Sequence, residues 1–255
     1  MAQKIQKINL LLSNREPLLA SYLKEKGFSS QLLNRYVKSG WLEMPYKGVY
    51  IKPKARIVLG GLLNALITQK NMLMHISGID ALRLFGYFEQ MHFANKSVLV
   101  YSSKRIFLPK WVKECEKHEK ISIKLVCSNL FPDEIFINKS EYDGFKIPAS
   151  IPERAVFEAL NEVKTHDEYF DFLRVFEMIA NLKSDYLDTL MSKCNSIKVK
   201  RMFLYVSHLM DKPYFEKLKL NKYELGTGVR TLFTAEGKLK YDAKYKIMVP
   251  KARQD

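Results

Sequence analysis

Four polar side chains, Gln31, Asn34, Arg35 and Lys38, fall on one arc of a helical wheel drawn over residues 29–39. Leu32, Leu33, Tyr36 and Val37 fall on the opposite arc. The polar types match those that read a nucleic-acid groove. A guanidinium grips guanine through two bonds, a carboxamide grips adenine likewise, and an ammonium neutralises a phosphate. Ser30, in the first turn of the same helix, adds a hydroxyl that suits a phosphate or base edge. WLEM and GVYI follow as two strand-like pieces around a turn at residues 45–48. Lys47 then stands at a hairpin tip, and Lys52 and Lys54 lie just beyond it. An amphipathic helix by itself is an ordinary solvated surface helix. The hairpin, the helices before it and the local charge argue for more.

That charge is unevenly placed. The 255-residue chain carries +15, and residues 1–60, with eleven basic against three acidic side chains, hold +8 of it. A basic excess of this kind favours polyanionic partners and marks the N-terminal segment as the contact surface. The three cysteines, Cys115, Cys127 and Cys194, are too few and too scattered for a disulfide framework or a zinc knuckle, which fits a reducing cytoplasm. No apolar run reaches the ~18 residues of a membrane span. The opening MAQKIQKINLLLS reads as a helix, not a signal peptide.

The elements that must position these residues follow from spacing and punctuation. Ile5, Ile8 and Leu12 predict a first helix. Ser13-Asn14-Arg15-Glu16 has the form of a capping box with Pro17 behind it, so a second helix is expected there, ending at Gly27. Ser29 caps the third, which Gly40 terminates. Three helices and a basic hairpin make a winged helix-turn-helix over residues 1–55. Residues 56–255 read as a larger mixed α/β domain, so the whole is α+β. Ser150-Ile151-Pro152-Glu153 is a second capping-box pattern and opens a helix through about Glu162. Helices are also predicted over residues 56–70, 78–86, 167–181, 184–193 and 196–210. Strands are predicted at MLMHIS, SVLVYSS and ISIKLV, with a strand pair in the closing KLKYDAKYKIMVP.

Several segments, in order along nearly the whole chain, resemble the AbiEi antitoxins of bacterial type IV (abortive infection) toxin–antitoxin systems. They are the winged unit ending GWLEMPYKGVYI, then HISGIDALRLFGY (residues 75–87), FLPKWV (107–112), IPERAVFEAL (151–160), CNSIKVKRMFLYVSHL (194–209) and ELGTGVR with KYDAKYKIMVP. The family's signature reads G-S-G-x-R with a downstream glycine pair. This chain has Gly226-Thr227-Gly228-Val229-Arg230 and a lone Gly237, a conservative departure. The resemblance implies a non-enzymatic, cofactor-free cytoplasmic repressor of phage-defence systems. Its winged domain would bind inverted repeats upstream of its own operon, with self-association on the DNA, and its C-terminal domain would act as antitoxin. The implied partner is a nucleotidyltransferase-like toxin, counteracted without a stable complex.

Three further features have chemistry of their own. Lys198, Lys200 and Arg201, in the first turns of a helix whose apolar stripe is Val199, Met202, Phe203 and Val206, oppose the helix dipole, and a bound anion would relieve that. Arg230, beside Gly226-Thr227-Gly228, is a second anion candidate, although a glycine pair outside a strand-to-helix turn is more often a structural turn. The alternative is a cluster satisfied by nearby carboxylates. His75, His92, His118, His166 and His208 have no metal-ligand spacing, so no metal is expected. Two other functional classes stay open: neutralisation of a toxin by direct contact, and a winged-helix nuclease using Glu236-Gly237-Lys238 or Asp242-Ala243-Lys244.

Overall fold

The computed structural model describes residues 2–87, 96–132, 135–231 and 239–251. In chain order its elements begin with α1 (Ala2–Leu11), β1 (Leu18–Leu19), α2 (Ala20–Glu25), α3 (Ser30–Lys38), β2 (Glu43–Tyr46), β3 (Val49–Ile51) and α4 (Leu59–Gln69). There follow β4 (His75–Ile76), α5 (Gly78–Leu84), β5 (Lys96–Ser102), α6 (Lys110–Glu119), β6 (Ile121–Cys127), β7 (Ile137–Tyr142) and β8 (Phe145–Ser150). The remainder is α7 (Pro152–Glu162), α8 (His166–Glu177), α9 (Ser184–Lys193), α10 (Ile197–Leu209), β9 (Arg230–Thr231), β10 (Leu239–Asp242) and β11 (Ile247–Pro250). The α+β class expected from the sequence is the class observed. The chain forms two compact units, one of Met1–Met74, Phe93–Val126 and Lys139–Pro148, the other of His75–His92, Cys127–Asn138 and Ala149–Asp255.

In the first unit, residues 1–51 have a core of their own. Ile8 of α1, Leu23 of α2, Phe28, Leu33 and Tyr36 of α3, and Leu42 close on Leu18 of β1 and Tyr50 of β3. Each fully buried side chain of this size contributes ~1.5–3 kcal/mol relative to exposure. The strands order β1-β3-β2, with Leu18 opposite Tyr50, Leu19 opposite Val49 and Tyr46 opposite Val49 on the other side. The capping box expected at Ser13–Glu16 does not form. Ser13 Oγ instead accepts from the Arg15 N–H, β1 intervenes, and α2 begins only at Ala20. Glu16 is drawn toward α4, where its carboxylate accepts from Asn64 (2.9 Å) and Gln69 (3.0 Å). Burial holds its pKa above the ordinary value against those two bonds. Gln69 in turn donates to Pro17 O and accepts from the Leu19 N–H, fixing β1.

Gly60 and Gly61, which weaken α4 on propensity grounds, are there for space. A Cβ on Gly61 would lie 2.1 Å from the Arg15 carbonyl oxygen, and one on Gly60 would lie 2.5 Å from that of Tyr142. The Gly60 N–H is satisfied by Asp143 Oδ2 at 3.0 Å, a cap supplied from the β7–β8 turn. That hairpin, turning at Asp143-Gly144 with both residues at positive φ, was not foreseen from sequence; nor was α6.

In the second unit α7 packs on α10 through Phe157 and Phe203, stacked at 4.5 Å, and Phe203 continues onto Tyr214 at 6.1 Å. β4 pairs in parallel with the end of β8, Ile76 opposite Ala149, a shorter strand than MLMHIS suggests. Lys212, buried, donates to the carbonyls of Phe176, Glu177 and Ile179 at 2.7–3.0 Å. A cation thus closes the C-terminal end of α8, where the helix dipole favours it. β10 and β11 form the expected antiparallel pair, and β9 joins β11 in parallel.

Candidate nucleic-acid interface

α3 begins where Ser29 Oγ accepts from the Leu32 N–H, and the turn before it is set by Gly27 at φ +88°. The Gly27 and Phe28 N–H groups return to the carbonyls of Lys24 and Leu23, closing α2 in the way a left-handed glycine permits. Lys7 Nζ donates to the Lys26 carbonyl at 2.9 Å, so α1 braces the same turn. At the far end Gly40 takes φ +73° and Ser39 Oγ donates to the Arg35 carbonyl. With Leu33 and Tyr36 buried beneath it, α3 has one rigid outward face, and Ser30, Gln31, Asn34, Arg35 and Lys38 are all exposed on it.

The hairpin turns through Lys47 and Gly48, the latter at φ +76°, the second turn position that glycine occupies without penalty. Its Gly48 carbonyl accepts from the Ala20 N–H at 2.8 Å, tying the tip to the start of α2. Lys47 is exposed. After β3 the chain turns again: the Ala55 N–H bonds the Lys52 carbonyl, and the Lys54 N–H bonds Glu43 Oε1 at 3.1 Å, with Lys54 at φ +63°. Lys52 and Lys54 are therefore exposed on an ordered turn. Among the described residues, none of Arg35, Lys38, Lys47, Lys52 and Lys54 is in a salt bridge, so an arriving polyanion breaks no ion pair on reaching them.

The hairpin also rests on a residue pair that sequence reasoning missed. Tyr46, at the end of β2, stacks on Trp111 of α6 with ring centroids 6.3 Å apart. Burial, together with Cys115 alongside, pushes the phenol above its usual pKa, and burial pushes the Cys115 thiol up to about 12. Both groups are thus neutral packing elements. The Trp111 of FLPKWV is the one visible trace of this contact in the sequence.

The predicted basic cluster of α10 is not a surface. Arg201 is 1% exposed, and its guanidinium donates to the carbonyls of Leu225 (2.7 Å), Gly226 (2.8 Å), Gly228 and Lys246 (2.8 Å). Four of its five N–H donors are committed, and the side chain is buried, so it offers no open fork to a phosphate. Gly226-Thr227-Gly228 is the loop that Arg201 holds, which makes it a structural turn. Lys200 is buried, and Lys198 is half-buried near Glu162 and Lys164, where burial lowers its pKa. Arg230 alone of the four is exposed.

The PERA segment works differently from a capping box. α7 starts at Pro152 with Ile151 as its uncapped neighbour, and Glu153 Oε1 accepts from the Lys183 N–H at 2.8 Å. Ser150 Oγ donates to Glu158, which is fully buried and also meets Arg154 Nε (2.7 Å), His75 Nε2 (3.0 Å) and the Gly78 N–H. His75 is a core residue. His92 and the Glu236-Gly237-Lys238 tripeptide lie outside the described residues. Asp242 of the second tripeptide accepts from the Tyr245 N–H in the β10–β11 turn. Among the described residues there is no grouping of side chains able to hold a metal, and no helix long and apolar enough to cross a membrane.

Two family models cover the chain. Residues 1–93 match "Transcriptional regulator, AbiEi antitoxin N-terminal domain", and residues 95–250 match "Transcriptional regulator, AbiEi antitoxin, Type IV TA system". A search of curated protein sequences returns no match. Among solved structures the chain is similar in fold to the RV2827C protein from Mycobacterium tuberculosis. The TM-score is 0.58 at 14% identity, over 97% of this chain and 90% of that one.

Proposed function

The chain belongs to the AbiEi family of transcriptional-regulator antitoxins of type IV toxin–antitoxin systems, and from that premise we propose that residues 1–55 are a winged helix-turn-helix that reads operator DNA. The observation that carries the reading is the exposed arc of α3 mounted on its own small core, with three lysines of the adjoining hairpin and turn exposed as well. α3 enters a major groove and offers Arg35, Asn34 and Gln31 to base edges, with Ser30 at its start. Lys38, Lys47, Lys52 and Lys54 hold phosphates. The protein represses its own operon through inverted repeats, self-associating on them. Residues 56–255 supply the antitoxin activity against a nucleotidyltransferase-like toxin, without a stable complex. The Tyr46–Trp111 stack supports the reading by fixing the end of β2 that leads into the hairpin's turn.

Fluorescence anisotropy on a labelled duplex from upstream of the operon, beside a scrambled duplex, tests this. Arg35→Ala is expected to cost ~1–3 kcal/mol on the operator and little on the scrambled duplex, while Lys47→Ala weakens both alike. Equal losses for Arg35→Ala on both duplexes remove Arg35 from base reading. Wild-type protein that does not prefer the operator removes the repressor reading altogether.

A further inference from the structure

Beside the C-terminal end of α3 lies a groove of about 400 Å³, lined from three parts of the N-terminal segment: Asn9 of α1, Ser39 and Trp41 after α3, and Lys52 and Pro53 after β3. Its chemistry differs from that of the α3 arc. Trp41 is 50% exposed, yet its mount is fixed, because its own N–H and that of Leu42 both bond the Tyr36 carbonyl and Leu42 is buried. The indole therefore stands on an ordered backbone with half of its surface open to solvent. The Lys52 ammonium and the Asn9 carboxamide, which line the same groove, have no side-chain partner among the described residues.

We propose that this groove takes a single unpaired nucleotide of a nucleic-acid strand, with its base stacked on Trp41 and its phosphate on Lys52. An aromatic platform beside a cation is the arrangement by which proteins hold single strands, since every base has a π-face and every linkage a charge. The Asn9 amide can bond the base edge. A duplex backbone presents sugar and phosphate but no flat face, and would leave the indole unused. The site goes beyond duplex reading by α3 and does not depend on it, although the two share Lys52, which holds one strand's phosphate at a time.

The chain has two tryptophans, and Trp111 is stacked on Tyr46, so emission can be assigned. Titration of the full chain with oligothymidylate, which forms no secondary structure, is expected to quench wild-type emission and to leave that of Trp41→Phe unchanged. Anisotropy of labelled oligothymidylate is expected to show binding about tenfold weaker for Trp41→Ala. Trp41→Phe, which keeps an aromatic face and the fold, loses less. The operator duplex is run in parallel, and Trp41→Ala is expected to bind it as wild type does. Absence of wild-type quenching, or equal oligothymidylate affinity for wild type and Trp41→Ala, overturns the proposal. So does a loss confined to duplex, which puts Trp41 on a duplex backbone. Single-strand binding without operator preference supports this groove while removing the repressor reading, so the two failures are distinguishable.

Discussion

Arg201, itself buried, commits its guanidinium to four backbone carbonyls, whereas Arg35 has no such commitments among the described residues. The residue type was visible in both cases, but the surroundings that decide its role were not. Arg201→Met removes all four of those bonds from a buried position, although the Lys246 carbonyl keeps a second donor in the Arg230 N–H. Each lost bond of this charged kind costs ~1.5–3 kcal/mol. Denaturant unfolding should accordingly show a loss of at least ~3 kcal/mol. Arg201→Lys should not rescue it, because a point ammonium cannot reproduce a planar fork. Glu158 allows a sharper test through pH. Burial pushes its pKa up, but His75 and Arg154 outweigh burial and hold the carboxyl below its ordinary 4.5. A folded-state pKa below the unfolded one means the carboxylate stabilises the fold above the ordinary range. That contribution is lost as pH falls through 4.5 toward the depressed value. Glu158→Gln should be less stable at neutral pH by ~3–5 kcal/mol, since it leaves Arg154 without its buried anion. Its unfolding midpoint should also fall less steeply than that of wild type in acid.

Helix α4 opposes propensity to packing at one position, and their magnitudes decide the sign. Gly61→Ala gains ~1 kcal/mol of helix propensity. Its Cβ, however, would stand 2.1 Å from the Arg15 carbonyl oxygen, which is backbone and cannot swing away. Overpacking of this kind costs ~1–3 kcal/mol, so a net loss in thermal unfolding is expected, and stabilisation would contradict the packing described. This element shows what the sequence makes legible. α3, its Ser29 cap and its Gly40 stop were readable because periodicity and local caps decide them. The S-x-x-E patterns at residues 13–16 and 150–153 misled, because Glu16, Ser150 and Glu153 were claimed by residues tens of positions away or by the helix interior. The box that does close, Thr165 with Glu168, opens α8 where nothing distant competes. The exposed polar arc of α3 could thus be anticipated as a set of residues. The Tyr46–Trp111 brace and the Trp41 groove needed the long-range fold.

For the molecule as a whole, charge makes a prediction that separates one contact surface from two. The chain carries +15, of which +8 lies in residues 1–60 and the rest is spread over about three times the length. If duplex binding belongs to the N-terminal head alone and follows the proposed reading, with Arg35 on bases, its ionic contacts are those of Lys38, Lys47, Lys52 and Lys54. On a duplex carrying one half-site, where a single protomer binds, four phosphates neutralised give a slope of log K against log salt of about −4. Replacing Lys47, Lys52 and Lys54 together by alanine should flatten that slope by about 3. Arg201 and Lys200 are buried, so their mutation acts on stability and leaves the slope alone. A slope much steeper than −4 that survives the triple replacement would require basic contacts beyond these four lysines, within residues 1–60 or outside them. Exposed Arg230, the one candidate of the C-terminal four that faces solvent, would then be the first residue to neutralise.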